Sequence, residues 1–158
     1  MRLSSTGLLA LFASALSLSG AGRLVAEEWP QFRGPNCSGV SSSKKSLPLH
    51  FSRTKNVRWS KELGDGIGSP VIAAGRVFCT AMAGKKAGEQ RLVVFCFDAE
   101  SGKKLWQRDL SAGPKALTPI NETNSYASST PAADSERVYV YFVRTGLVAL
   151  DAKSGEKV

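Results

Sequence analysis

Apolar and polar positions along this chain change over in short bursts rather than in helical stripes. Residues 70–73 form a brief apolar run ended by Ala74-Gly75, and residues 76–80 carry a second run. Residues 92–97 form a third, ended by Asp98-Ala99-Glu100-Ser101-Gly102, and residues 104–108 a fourth. Runs of this length bounded by Gly, Asp and Ser predict β-strands joined by tight turns. Helices are hard to place.

The pattern then repeats. Gly68-Ser69-Pro70-Val71 and Gly75-Arg76-Val77-Phe78 are echoed by Ser129-Thr130-Pro131-Ala132 and Glu136-Arg137-Val138-Tyr139, with Pro70 and Pro131 61 residues apart. Phe97-Asp98-Ala99 through Gly102 is echoed by Leu150-Asp151-Ala152 through Gly155, with an offset of 53. A longer turn at residues 82–91 of the first copy accounts for the difference. Four short antiparallel strands per repeat of this size describe a propeller blade, which needs a neighbour on each face. Asn56-Val57-Arg58-Trp59 matches the fourth strand around Trp106 without its first three. A ring that borrows an N-terminal strand to complete its last blade begins in this way.

Turn chemistry gives several residues a role. Asp98 and Asp151 read as caps for the amides of their own turns, with Gly102 and Gly155 taking positive φ. Trp106 stands four residues beyond Gly102, at the end of an outer strand, where a large ring can plug the gap between blades. The chain stops at Val158, where the second copy would present its own tryptophan next.

The first 26 residues read as an address. Arg2, an apolar stretch from Leu8 to Leu18 and the small residues after it match a secretory signal peptide, with cleavage after Ala21 or Ala26. The stretch is too short for a dependable membrane span. Ala21 stands where a lipidation box would need Cys. Export to the periplasm or beyond is therefore expected.

Composition adds modest constraints. Lys plus Arg number 21 against 13 Asp plus Glu, a net charge of +8, which falls to +6 once residues 1–26 are removed. The basic residues are scattered as turn pairs such as Lys44-Lys45 and Lys103-Lys104, with no stripe or recognition helix, so a nucleic-acid role is not expected. Three cysteines, Cys37, Cys79 and Cys96, form neither a disulfide framework nor a zinc motif. Cys79 and Cys96 lie in the second and third strands, where they face each other across a ladder either as buried thiols or as a disulfide. His50, the one histidine, builds no zinc site or triad by itself. The loop Gly64-Asp65-Gly66-Ile67-Gly68 lacks the helix and lysine of a phosphate cradle and reads as a permissive entry to the first blade. Asn121-Glu122-Thr123 fits a glycosylation acceptor. Asn124 and Tyr126, in a polar loop before a strand, are the surface-binding candidates, with turn capping and packing as the alternative.

Several of these segments together resemble the N-terminal part of secreted bacterial pyrroloquinoline-quinone-like (quinoprotein-like) β-propeller proteins. The carriers are Trp29-Pro30-Gln31-Phe32-Arg33-Gly34-Pro35, Gly39-Val40, Asn56-Val57-Arg58-Trp59, the Asp98-to-Trp106 turn, and residues 124–131, with Ser129 where Pro is usual. The resemblance implies an all-β fragment, about two four-stranded blades plus a borrowed closing strand, of a ring commonly eight-bladed. The expected organisation is a signal peptide over 1–26, an N-terminal segment with the closing strand over 27–68, a first blade over 69–110 and a second, incomplete blade over 111–158. The expected function is a non-catalytic exported scaffold or protein-binding module. The alternative is a fragment of a quinone-dependent oxidoreductase acting on alcohols or sugars. Those enzymes hold quinone and calcium at the ring centre and, for alcohols, carry adjacent cysteines, which this sequence lacks. No catalytic, cofactor or metal residue is therefore assigned. Pyrroloquinoline quinone and calcium belong only to a complete ring. The expected partners are further blades or another protein, with self-association of the chain alone.

Overall fold

The computed structural model describes residues 27–84, 89–111, 121 and 123–158. The signal-peptide reading lies outside these residues. Two antiparallel sheets make up the fold. The first contains β1 (Val71–Ala73), β2 (Arg76–Ala83), β3 (Arg91–Asp98) and β4 (Lys104–Asp109) in sequential order. The second contains β5 (Ala132–Ala133), β6 (Arg137–Phe142) and β7 (Gly146–Asp151). A bridge from Leu150 to Lys157 starts a fourth strand there, and it is the repeat counterpart of the Phe97–Lys104 pair between β3 and β4.

The strands expected over residues 70–108 are present, whereas residues 56–63, expected as a borrowed closing strand around Trp59, form no strand in the described structure. The β2–β3 ladder is longer than read. Its pairing continues through Ala81–Val93, Met82–Leu92 and Ala83–Arg91. The turn expected to start at Met82 therefore starts later, because Met82 and Leu92 find an apolar face to share.

Alternation along the strands gives each sheet two packing faces. On one face of the first sheet, Val71, Ala73, Phe78, Val94 and Cys96 meet Ala133, Val138, Val140, Phe142, Val148 and Leu150 of the second sheet. Trp106 closes the outer end of this core. The opposite face of the first sheet carries Val77, Ala81, Val93, Phe95 and Phe97, partly covered by Trp59 and Leu63. Residues 92–97 of β3 are thus buried on both faces, which is why that strand is a continuous apolar run. Phe78 and Phe142 are fully buried in the inter-sheet core, each worth roughly 1.5–3 kcal/mol relative to exposure.

Candidate functional site

The turns that follow β3 and β7 are built alike. Asp98 Oδ1 accepts the amide of Ser101 at 2.8 Å, and Asp151 Oδ1 accepts that of Ser154 at 2.7 Å. The amide of Gly102 donates to Asp98 O at 2.9 Å and that of Gly155 to Asp151 O at 2.8 Å. These are the capping roles read from the sequence. The amide and hydroxyl of Ser154, with help from Lys153, hold the Asp151 carboxyl below its ordinary range, and the amides of Arg137 and Glu136 do the same for Asp134.

Each turn receives a tryptophan from earlier in the chain, Trp59 from the segment before β1 and Trp106 from β4. Trp59 donates its indole N–H to Ala99 O and Trp106 donates to Ala152 O, both at 3.1 Å. A β-carbon added to Gly102 would lie 2.6 Å from the Trp59 ring, and one added to Gly155 would lie 2.7 Å from Trp106. The tryptophan thus seats directly on bare backbone at positive φ. Arg108, to which the sequence reading assigned nothing, reaches the same turn, donating to Gly155 O at 2.7 Å and Ser154 O at 2.9 Å. The signal for it was the basic residue two places after each tryptophan, Lys61 after Trp59 and Arg108 after Trp106.

Beyond this seam the second sheet leaves a face open. Tyr141 and Leu147 are cross-strand partners and are 47% and 72% exposed. Their repeat counterparts in the first sheet, Thr80 and Val94, are buried against the second sheet. The same surface is therefore covered in one copy and bare in the next.

A groove of about 560 Å³ runs along the other face of the first sheet, lined by Lys61, Leu63, Gly66, Cys79, Thr80 and Ala81 among others. The glycine loop forms one wall. Its backbone pairs with β2, Asp65 N–H donating to Met82 O at 3.0 Å and Met82 N–H to Asp65 O at 2.6 Å. A β-carbon on Gly64 would lie 2.4 Å from Met82 O, so glycine is required for this close backbone approach.

The cysteines are placed differently from the facing pair that was expected. Cys79 pairs with Phe95 and Cys96 with Phe78, so the two thiols sit one register step apart on opposite faces of the sheet. All three cysteines are free. Burial pushes the Cys79 thiol up to about 11 and Cys96 to about 12, the latter despite nearby Arg76. Cys37 is exposed and accepts a hydrogen bond from Gln31 Nε2 at 3.3 Å.

Among the binding candidates, Asn124 uses Oδ1 to accept the Ser125 amide at 2.8 Å and the Ser128 hydroxyl. Tyr126 packs against the inter-sheet core. Both therefore follow the turn-capping and packing alternative. Asn121 Oδ1 accepts from Thr123, and His50 O accepts from Asn56 Nδ2 at 2.6 Å, each within a local turn. Asp98 and Asp151 are committed to turn amides, and the described residues include no group of three His, Cys, Asp or Glu side chains placed to hold a metal ion. No helix among the described residues is long and apolar enough to cross a membrane.

No curated protein matches the chain. The family described as outer membrane protein assembly factor BamB matches residues 49–158, a span that holds both sheets, both capped turns and the two tryptophans docked on them. The chain belongs to this family of β-propeller repeat proteins.

Proposed function

We propose that this chain is part of an exported β-propeller and acts as a scaffold or protein-binding module without catalysis of its own. The observation that carries the reading is the bare Tyr141–Leu147 face, whose repeat counterpart is buried by a neighbouring sheet. A further blade, or a partner presenting an equivalent sheet face, fits there. Membership in a family described as an assembly factor of outer membrane proteins supports a role in holding other proteins and an address outside the inner membrane. The proposed organisation keeps a signal peptide over 1–26, a closing-strand segment over 27–68, and blades over 69–110 and 111–158. In a closed ring the groove beside Lys61 and Cys79 takes the last blade, just as the bare face takes the third.

Reconstitution tests the reading. A tagged second copy of the chain, whose sheet faces stand in for a neighbouring blade, is mixed with the untagged chain, and association is followed by sedimentation. Binding that is lost in Leu147→Glu is the expected outcome, with dye reduction in the presence of pyrroloquinoline quinone and calcium no greater than the cofactor alone gives. Dye reduction above that background, abolished by replacing one carboxylate, would establish the quinone-dependent alternative instead. An absence of binding would remove the ring reading.

A further inference from the structure

The inner edge of each sheet, β1 in the first and β5 in the second, has strand partners on one side only. An open edge of this kind presents unpaired amides and carbonyls that invite pairing with another chain. Here the N-terminal segment covers both. Trp29 N–H donates to Ile72 O at 2.9 Å, and Ile72 N–H donates back to Trp29 O at 2.8 Å. The next carbonyl, of Pro30, accepts Ala133 N–H at 2.8 Å. Ile72 and Ala133 are counterparts in the repeat, 61 residues apart. Two successive carbonyls of one short segment thus satisfy the same amide position in two successive sheets. The Glu28 carboxylate extends the contact by accepting the Ala74 amide at 3.0 Å.

The segment is built to hold this shape. Its chain reverses where Gly34 N–H donates to Gln31 O at 2.9 Å. Gly34 has φ 67, and an added β-carbon would lie 2.5 Å from the Trp29 indole. Trp29 is therefore folded against its own turn, which fixes the direction of the carbonyls at residues 29 and 30. Pro30 offers only a carbonyl, so no amide of its own points away from the edge unpaired.

We propose that residues 28–34 form a strap that pairs with the inner edges of both sheets at once, an intramolecular version of strand addition. The strap fixes the position of the two blades at their inner side, while Trp106 and Arg108 fix it at the outer side. It also protects both edges from pairing with foreign strands. Its release is a single local event that leaves the β2–β3 ladder intact.

Amide hydrogen exchange on the full chain is the test, followed residue by residue at increasing low concentrations of urea. Ile72 and Ala133 are expected to exchange at rates equal within about twofold, with the same urea dependence, and at least tenfold faster than amides of the β2–β3 ladder. Gly34→Ala, which drives a methyl group into the Trp29 ring, should accelerate both amides by the same factor and leave the ladder unchanged. Different rates at Ile72 and Ala133, or exchange of both only together with the β2–β3 ladder, would overturn the proposal. Acceleration of Ile72 alone in the variant would do the same, since the segment would then serve one sheet only.

Discussion

Replacing Gly155 by Ala isolates the tryptophan docking that joins the two sheets. The substitution does two things. It places a side chain at φ 70, a left-handed conformation costing roughly 1–2 kcal/mol outside glycine. It also puts a β-carbon 2.7 Å from Cδ2 and Cε3 of Trp106, a ring held from behind by Phe78 at a centroid distance of 5.8 Å. Overpacking of this kind costs roughly 1–3 kcal/mol, or ejects the ring and loses its bond to Ala152. The sum is about 2–5 kcal/mol, against a whole-domain stability of about 5–15 kcal/mol. Gly75 supplies the control, with φ 71 and nothing within 4 Å of an added β-carbon. Gly75→Ala should therefore cost only the backbone part, about 1–2 kcal/mol. Urea midpoints would be compared for wild type, both glycine variants, Trp106→Ala and the Trp106→Ala/Gly155→Ala pair, with one osmolyte concentration throughout to strengthen the folded state. In the Trp106→Ala background the Gly155→Ala cost should fall to the Gly75→Ala value, a coupling of about 1–3 kcal/mol. Equal costs for Gly155→Ala and Gly75→Ala, or a coupling below about 0.5 kcal/mol, would refute docking on the bare turn.

The other predictions concern surface, thiols and acid. The chain alone should associate with rising concentration in sedimentation, and Leu147→Glu should shift it toward monomer, because 72% of that residue is exposed on a sheet face. A monodisperse wild-type monomer melting cooperatively above about 50 °C would count against the open-face reading. At pH 8 a thiol reagent should titrate Cys37 quickly and reach Cys79 and Cys96 only on unfolding, since a thiol with its pKa near 11 is thiolate in only about one molecule per thousand. Asp134 and Asp151 have folded-state values below their ordinary range, so their stabilising contribution is complete above the unfolded value near pH 4 and disappears as pH falls through the depressed values. Urea midpoints between pH 7 and 2 should accordingly drop less steeply in Asp151→Asn than in wild type.

Much of this architecture was legible because it is local. The Asp98-to-Gly102 and Asp151-to-Gly155 turns are specified within five residues each, by a carboxylate that reaches its own amides and a glycine at positive φ. The strands follow from short apolar runs, and the repeat places Trp59 and Trp106 at equal positions before any fold is known. The binding candidates Asn124 and Tyr126 were visible as residues, but a polar loop looks the same in sequence whether its side chains serve a ligand or the turn itself. Tertiary structure alone decided the cysteines, since a one-residue difference in register moves a side chain to the opposite face and nothing local fixes that register. It alone brought Arg108 to carbonyls 46 and 47 residues away, and joined Trp29 and Pro30 to Ile72 and Ala133. Those contacts use backbone carbonyls, which every residue possesses and no sequence pattern marks, so they arise only once two sheets are packed and their edges lie side by side.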